Sequence, residues 1–249
     1  MSEQLRRAVT LLDELARGEP AQSIRALAET TGLSKSAVQR SLASLVEVGL
    51  AEKHHSGAYA LGPRTLALGT AYRRRIDLRA TAIPVMTRLR DVTGETVGLS
   101  TPVGDEILHV EQVESRSELR RTFEIGRPLP LWCGAPSRVV LAARTDDEVR
   151  RVAHARDGAT LTPAAPPPPD ELVRLVERCR ADGYAAALGE TIAGVNTLAV
   201  AVHDAHGDVH ATLSVTGPAT RWDRAAMTAT LPDCRDAARE LSRALGASC

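Results

Sequence analysis

Ser23-Ile-Arg-Ala-Leu-Ala-Glu-Thr-Thr-Gly-Leu-Ser-Lys-Ser-Ala-Val-Gln-Arg-Ser-Leu-Ala-Ser-Leu45 reads as two short helices joined by a tight Thr-Gly-Leu turn. At roughly 100° per residue, Val38, Leu42 and Leu45 fall on one side of the second helix, where they can bury against the first. Ser36, Gln39, Arg40 and Ala43 fall on nearly the opposite side, with no large apolar group among them. Such a face fits a DNA groove: Gln pairs with adenine and Arg with guanine through two hydrogen bonds each, while small neighbours allow close approach. Ser34 is placed to cap the second helix, whose opening amides suit a phosphate. Taken alone, the stretch fits either a helix-turn-helix or an ordinary helical hairpin with a polar outer face.

The flanking sequence bears on that choice. Val48 to Leu61 reads as two short strands around a Ser-Gly turn, the wing of a winged helix-turn-helix. Upstream, Gln4 to Ala16 places Leu5, Ala8, Val9, Leu12 and Leu15 at helical spacing and completes a three-helix core. Residues 1–62 thus read as a winged DNA-binding domain. The candidate contact set is Ser23, Ser34, Lys35, Ser36, Gln39, Arg40, Lys53, His55 and Arg64.

The chain has 249 residues, enough for two domains, and a formal net charge of zero. That zero conceals an asymmetry. Residues 1–93 hold 14 Lys and Arg against 9 Asp and Glu, whereas residues 94–249 hold 17 against 22. Seven of the basic groups lie between Arg64 and Arg90, including Arg73-Arg74-Arg75. This run is read either as attraction for a phosphate backbone or as a solvated helix face. Cys133, Cys179, Cys234 and Cys249 are scattered without a Cys-x-x-Cys pair, which argues against a zinc ribbon or redox dithiol and fits a reducing cytoplasm. The first residues lack the apolar core of a signal peptide, and no apolar run approaches the roughly 20 residues needed to span a bilayer. A cytoplasmic protein with no membrane partner is expected.

Pro63 suits the first turn of a new helix, and residues 63–77 read as a linker helix. A further helix, about Leu78 to Val92 with Pro84 near its start, ends at Thr93-Gly94, where the apolar period changes from 3.6 to 2. Strands are expected at Thr96 to Thr101, Ile107 to Gln112, Leu119 to Glu124, Tyr184 to Ala187, Val195 to His203 and Val209 to Thr216. Helices are expected near Ser137 to Ala143, Asp146 to Ala155 and Asp170 to Ala181, the last capped by Asp170 after the proline run Pro163 to Pro169. That run reads as a stiff surface connector or a dock for proline-binding modules. The final helix or helix pair, Arg224 to Leu245, is interrupted by Pro232. Residues 78–249 therefore form an α+β sensor-like domain.

No phosphate-binding Gly-rich loop, Gly-x-Ser-x-Gly elbow or His-Glu-x-x-His zinc motif occurs, so no catalytic residue is assigned and an enzyme is not expected. His203, His206 and His210 with Asp204 and Asp208 suggest a divalent metal, but their place at an expected hairpin turn explains them equally well. No metal and no cofactor are assigned.

With both halves read, the chain resembles the IclR family of bacterial transcription regulators over nearly its whole length. The resemblance is carried, in order, by Gly32-Leu-Ser-Lys-Ser-Ala-Val-Gln-Arg-Ser-Leu42, Tyr59-Ala-Leu-Gly-Pro-Arg64, Thr93-Gly-Glu-Thr-Val97, Gly126-Arg-Pro-Leu-Pro-Leu131, Arg180-Ala-Asp-Gly-Tyr184, Gly194-Val195 and Leu213-Ser-Val-Thr-Gly-Pro218. It implies a winged helix-turn-helix, a linker helix and a GAF-like effector-binding domain, assembled as a homodimer or a dimer of dimers. It also implies a repressor or activator whose hold on double-stranded DNA responds to a small organic, acidic or aromatic effector. Position by position, the family's effector loop and helix fall on Trp132, Cys133, Gly134, Ala135, Pro136, Ser137 and Arg138, with Ser137-Arg138 standing for the usual Gly-Lys. Backbone amides opening that helix suit a carboxylate. Thr197 stands for a frequent Cys, Ser214 and Thr216 keep the family's two hydroxyls, and its acidic pocket residue is missing at Ala187-Leu188, with Glu190 shortly after. The effector set implied is Trp132, Gly134, Ala135, Ser137, Thr197, Ser214 and Thr216. Losing the acid while presenting Trp132 and Leu188 favours a ligand with an apolar or aromatic body, although Trp132 also fits core packing, and Ser214 and Thr216 also fit alternate solvent-facing positions.

A homodimer would place two recognition helices in successive major grooves of a palindromic operator, with the effector acting through the linker helix. The competing reading makes the winged domain a protein-interaction module on the same sensor.

Overall fold

The computed structural model describes residues 3–17, 19, 21–75, 78–155 and 167–247, with 72–75 and 78–80 described by their backbone alone. The chain divides into two compact units, Met1–Ile76 and Asp77–Cys249.

In the first unit the helices are α1 (Glu3–Arg17), α2 (Ile24–Thr31) and α3 (Lys35–Glu47), followed by strands β1 (Ala51–Lys53) and β2 (Tyr59–Leu61) and helix α4 (Pro63–Arg75). Each start and stop in the central pair has a local cause. Ser23 caps α2 by accepting from the Ala26 amide, and Ser34 caps α3 by accepting from the Ala37 amide at 3.3 Å. Between them Gly32 ends α2 at φ 69°, a left-handed conformation that turns the chain within three residues. Leu11, Leu27, Val38 and Leu42 are fully buried in the three-helix core, with Leu15, Leu45, Ala51 and Tyr59 around them. β1 and β2 pair antiparallel, Ala51 opposite Leu61, and Gln22 adds an isolated bridge to Tyr59 that the sequence pattern does not show. The start of α4 is held within this unit, because the amides of Gly62 and Arg64 donate to the carbonyls of Leu50 and Gly49. α4, expected as a separate linker, therefore groups with the winged unit.

The second unit opens with α5 (Leu78–Thr93) and continues through β3 (Thr96–Val103), β4 (Glu106–Val113), β5 (Pro128–Pro130), α6 (Ala135–Ala142), α7 (Asp146–His154), α8 (Pro169–Asp182), β6 (Ala185–Leu188), β7 (Val195–His203), β8 (Val209–Pro218) and α9 (Arg224–Ala244). Its six strands form one antiparallel sheet in the order β5-β4-β3-β8-β7-β6. Alternation sorts the side chains of β7: Thr197, Ala199 and Ala201 lie on the face covered by α6 and α8, while Leu198, Val200 and Val202 serve the other. On β8, Thr216 stands opposite Thr197 and Ser214 opposite Ala199, so both hydroxyls share the α6 face.

Three expectations need correction. The segment Leu119 to Glu124 is not a strand. Its backbone groups are taken by side chains instead: Gln112 both donates to the Phe123 carbonyl and accepts from its amide, Thr96 donates to the Arg121 carbonyl, and Arg221 donates to that of Leu119. The short third strand of this half is β5, which pairs with β4. Asp170 does not cap α8; the helix begins one residue earlier at Pro169 with Pro168 at the cap, because proline's fixed φ suits the first turn. α9 runs unbroken through Pro232, packed against α5 and β7. Pro163 to Pro166 lie outside the described residues.

Two of the sequence landmarks meet in space. The buried Glu95 carboxylate pairs with Arg221 and lies against Gly217, where an added Cβ would stand 2.5 Å from the carboxylate carbon. Gly217→Ala is therefore expected to push the ion pair out of register and destabilise the second unit by about 1–3 kcal/mol. Calorimetry of the full chain should show the transition of that unit lowered by several degrees while the winged unit melts as before.

Candidate functional site

The first site is the outer face of α3. Val38 and Leu42 are 0 % exposed and Leu45 4 %, whereas Lys35, Ser36, Gln39, Arg40 and Ala43 are exposed, so the helix shows to solvent the face expected from its period. Among the described residues no salt bridge engages Lys35 or Arg40, leaving both charges for an outside partner. The Ser34 hydroxyl is committed to the cap and stands 3.2 Å from that of Ser36. The Ser23 hydroxyl likewise holds the start of α2. In the wing, Lys53 and His55 are exposed, with the Lys53 ammonium 5.7 Å from the centre of the Tyr59 ring. Arg64 differs from the rest of the set, because its guanidinium donates to the Val48 carbonyl at 3.0 Å and ties α4 to the end of α3.

The second site is a cavity of about 360 Å³ within the second unit. Its floor is the sheet, where Thr197 and Thr216 face each other with hydroxyl oxygens 3.0 Å apart. One wall is the start of α6, where Gly134, Ala135, Pro136 and Ser137 line the space. The segment 121–124 and Arg127 line it as well, with Ile192 from the β6–β7 loop and Val195 at the start of β7. Five of the seven expected effector residues thus come together: Gly134, Ala135, Ser137, Thr197 and Thr216.

Trp132 and Ser214 do not line the cavity. Trp132 packs with Leu131, Val140 and Val149 in the core beneath α6 and α7, and Ser214 is buried with its hydroxyl donating to the Gly98 carbonyl. Leu188 is exposed on the edge strand, also away from the cavity. The aromatic surface comes from Phe123, whose ring lies 4.3 Å from that of His109. Arg121, Glu124, Arg127 and His109 are the charged or titratable lining groups missed from the sequence. The available signal was the two-residue spacing of Arg121 and Phe123, which puts a cation and an aromatic ring on one side of an extended segment.

Electrostatics around the cavity are specific. Arg138, at the position of the family's usual Lys, is 2 % exposed and turns away from the cavity to pair with Glu190 and donate to the Ala186 carbonyl. Glu190 also accepts from the Gly134 amide at 3.0 Å. The one acid near the missing family position therefore caps α6 instead of facing a ligand. Burial, then the charge of Glu190, push the Cys133 thiol up to about 12, which keeps it protonated and a poor nucleophile. Burial, then the nearby Arg121 charge, pull His109 down to about 4, so it is neutral near pH 7 with Nδ1 2.8 Å from the Ser100 hydroxyl. Around His203 to His210, the Asp204 carboxylate accepts from the amides of His206 and Asp208, and His203 Nδ1 lies 3.1 Å from the Gly207 carbonyl oxygen. Those groups serve the hairpin turn, and among the described residues no cluster is placed to hold a metal. Nor, among those residues, is any helix long and apolar enough to cross a membrane.

Known proteins share both sites' frameworks. Residues 4–55 match the IclR helix-turn-helix domain, and residues 70–243 match the family described as bacterial transcriptional regulator IclR C-terminal. The chain is 34% identical to the glycerol operon regulatory protein of Streptomyces griseus, covering 98% of this chain and 97% of that one. It is 30% identical to the HTH-type transcriptional regulator BhcR of Paracoccus denitrificans, over 96% and 85% of the two chains. An IclR homologue from Microbacterium hydrocarbonoxydans, solved in complex with 4-hydroxybenzoate, superposes with a TM-score of 0.76 at 25% identity, covering 99% of this chain and 100% of that one. With a buried three-helix core behind an open α3 face and relatives that are regulators along their whole length, the chain belongs to the IclR family of transcription regulators and is not an enzyme.

Proposed function

We propose that this regulator works in the cytoplasm as a homodimer or dimer of dimers, reads a palindromic operator through α3, and changes its hold on that operator when a small organic effector occupies the cavity. The observation that carries the DNA half is the division of α3, whose apolar side is sealed while Ser36, Gln39 and Arg40 stand open and short enough to approach base edges. Lys35, Lys53 and His55, with the amides at the starts of α2 and α3 behind Ser23 and Ser34, supply contacts for the phosphate backbone. Arg64 braces the helix and contributes its remaining donors there. Exposed Leu5 and Val9 on α1, with Leu66 and Leu68 on α4, support self-association of the winged unit. Two such units present two recognition helices to a palindrome whose half-sites lie about one helical turn apart or at a related spacing.

The effector half is carried by the cavity, where hydroxyls and helix-opening amides surround an apolar space and no catalytic constellation is present among its lining residues. The 4-hydroxybenzoate complex of the Microbacterium homologue supports an organic acid in the same fold. Coupling between two such sites is typically about 1–3 kcal/mol, a factor of roughly 5 to 150 in operator affinity.

In a selection from randomised duplexes, Gln39→Ala is expected to relax discrimination at one base pair of each half-site by about 1–3 kcal/mol while leaving the salt dependence unchanged; unchanged discrimination would remove Gln39 from the reading face. Thr216→Val is expected to weaken the effector by about 5- to 30-fold, the loss of one buried hydrogen bond, with operator affinity in its absence preserved. Calorimetric titration beside an operator-binding assay measures both, and an unaltered effector affinity would place the ligand elsewhere.

A further inference from the structure

The cavity wall carries a cation, Arg121, that has no counter-ion among the described residues. Arg127 lies 3.1 Å from Glu124, an ordinary exposed pair. Arg121 is half-buried with its guanidinium 5.5 Å from the centre of the Phe123 ring, and among the described residues no carboxylate pairs with it. Burial and then the like charge of Arg127 both lower its pKa, so two effects oppose a charge that, among the described residues, only the face of the Phe123 ring offsets. The backbone of Arg121 is fixed by the Thr96 hydroxyl at its carbonyl, which holds the residue at the wall whatever its side chain does.

A second anion-accepting place lies at the start of α6. There Ser137, Thr197 and Thr216 line the cavity, the Ser137 hydroxyl donating to the Pro130 carbonyl at 3.4 Å and the two threonine hydroxyls paired at 3.0 Å, and the first turn contains no acidic residue. Glu190 withdraws only the Gly134 amide, so those of Ala135 and Ser137 stay available to a carboxylate. Ile107, Leu129, Ile192 and Val195, with the Phe123 ring, supply the apolar part of the remaining lining, beside the Glu124–Arg127 pair and the neutral His109. A monoacid satisfies one of these two places and leaves the other bare.

We propose that the cavity takes an organic diacid with an apolar or aromatic body, one carboxylate on the hydroxyls and amides opening α6 and the second on Arg121, which separates diacids from monoacids. The proposal rests on the reading of the cavity as the effector site. A guanidinium and a carboxylate make a paired, charge-assisted contact inside a partly dry space, and neutralising Arg121 also relieves its repulsion with Arg127.

Calorimetric titration of the full chain with benzoate against phthalate, isophthalate and terephthalate, and with hexanoate against adipate, tests this. In at least one series the diacid should bind tenfold or more tightly than the monoacid of the same skeleton. Arg121→Gln should bring that ratio to within about twofold, and Arg121→Lys, which keeps a charge but not the fork, should leave an intermediate ratio. The proposal is overturned if no diacid binds, if monoacids bind as well as diacids, or if the preference survives Arg121→Gln. Thr216→Val separates the two layers of the argument. If it weakens monoacids and diacids alike while no diacid preference exists, the cavity is the site and only the role of Arg121 falls; if it changes neither, the site itself is misplaced and both readings fall.

Discussion

Arg138 and Glu190 are both withdrawn from water, and removing either partner would leave a buried charge, a loss of about 3–5 kcal/mol. That constraint organises the second unit. Arg138 sits in the first turn of α6, while Glu190 sits in the loop between β6 and β7, so their pair draws the helix start onto the edge of the sheet. The same carboxylate takes the Gly134 amide, and the Arg138 guanidinium takes the Ala186 carbonyl. Helix start, edge strand and loop are thereby held in one arrangement. The cavity is the space this arrangement leaves above Thr197 and Thr216.

The pairing also explains a departure from the family pattern. Where the resemblance implies a Lys following a small residue and an acid on the edge strand, this chain has Arg138 and, slightly later, Glu190. The charges have been turned inward to build the wall instead of facing the ligand. The charge that lines the cavity comes instead from the segment after β4, which brings Arg121, Glu124 and Arg127 to it. A neutral His109 and a protonated Cys133 complete the lining.

The winged unit was legible because its signals are local. Two serine caps, a glycine at the turn and an apolar period repeated over three helices all act within a few residues of the structure they specify. The sheet was legible where alternation runs long, as in β7 and β8. Reading failed between Leu119 and Glu124, where a strand was expected but the backbone is bound by Thr96, Gln112 and Arg221, residues up to about a hundred positions away. That failure hid the cationic wall, since alternation puts Arg121 and Phe123 on one side but does not say that this side faces the cavity. Trp132 and Ser214 show the opposite limit: the family pattern places them beside the site, yet the packing under α6 and the Gly98 carbonyl claim them.

The central claim is that an open α3 face reads DNA on behalf of a ligand-holding unit. Fluorescence anisotropy of the full chain on duplex from upstream of its own gene, against scrambled duplex and across a salt series, tests it most directly. A DNA-reading α3 gives tight binding that favours the upstream duplex and weakens steeply as salt rises, as expected where Lys and Arg displace counterions from phosphates. Weak binding of equal strength to both duplexes, persisting across genomic fragments, would contradict it and make the winged unit a protein-docking module.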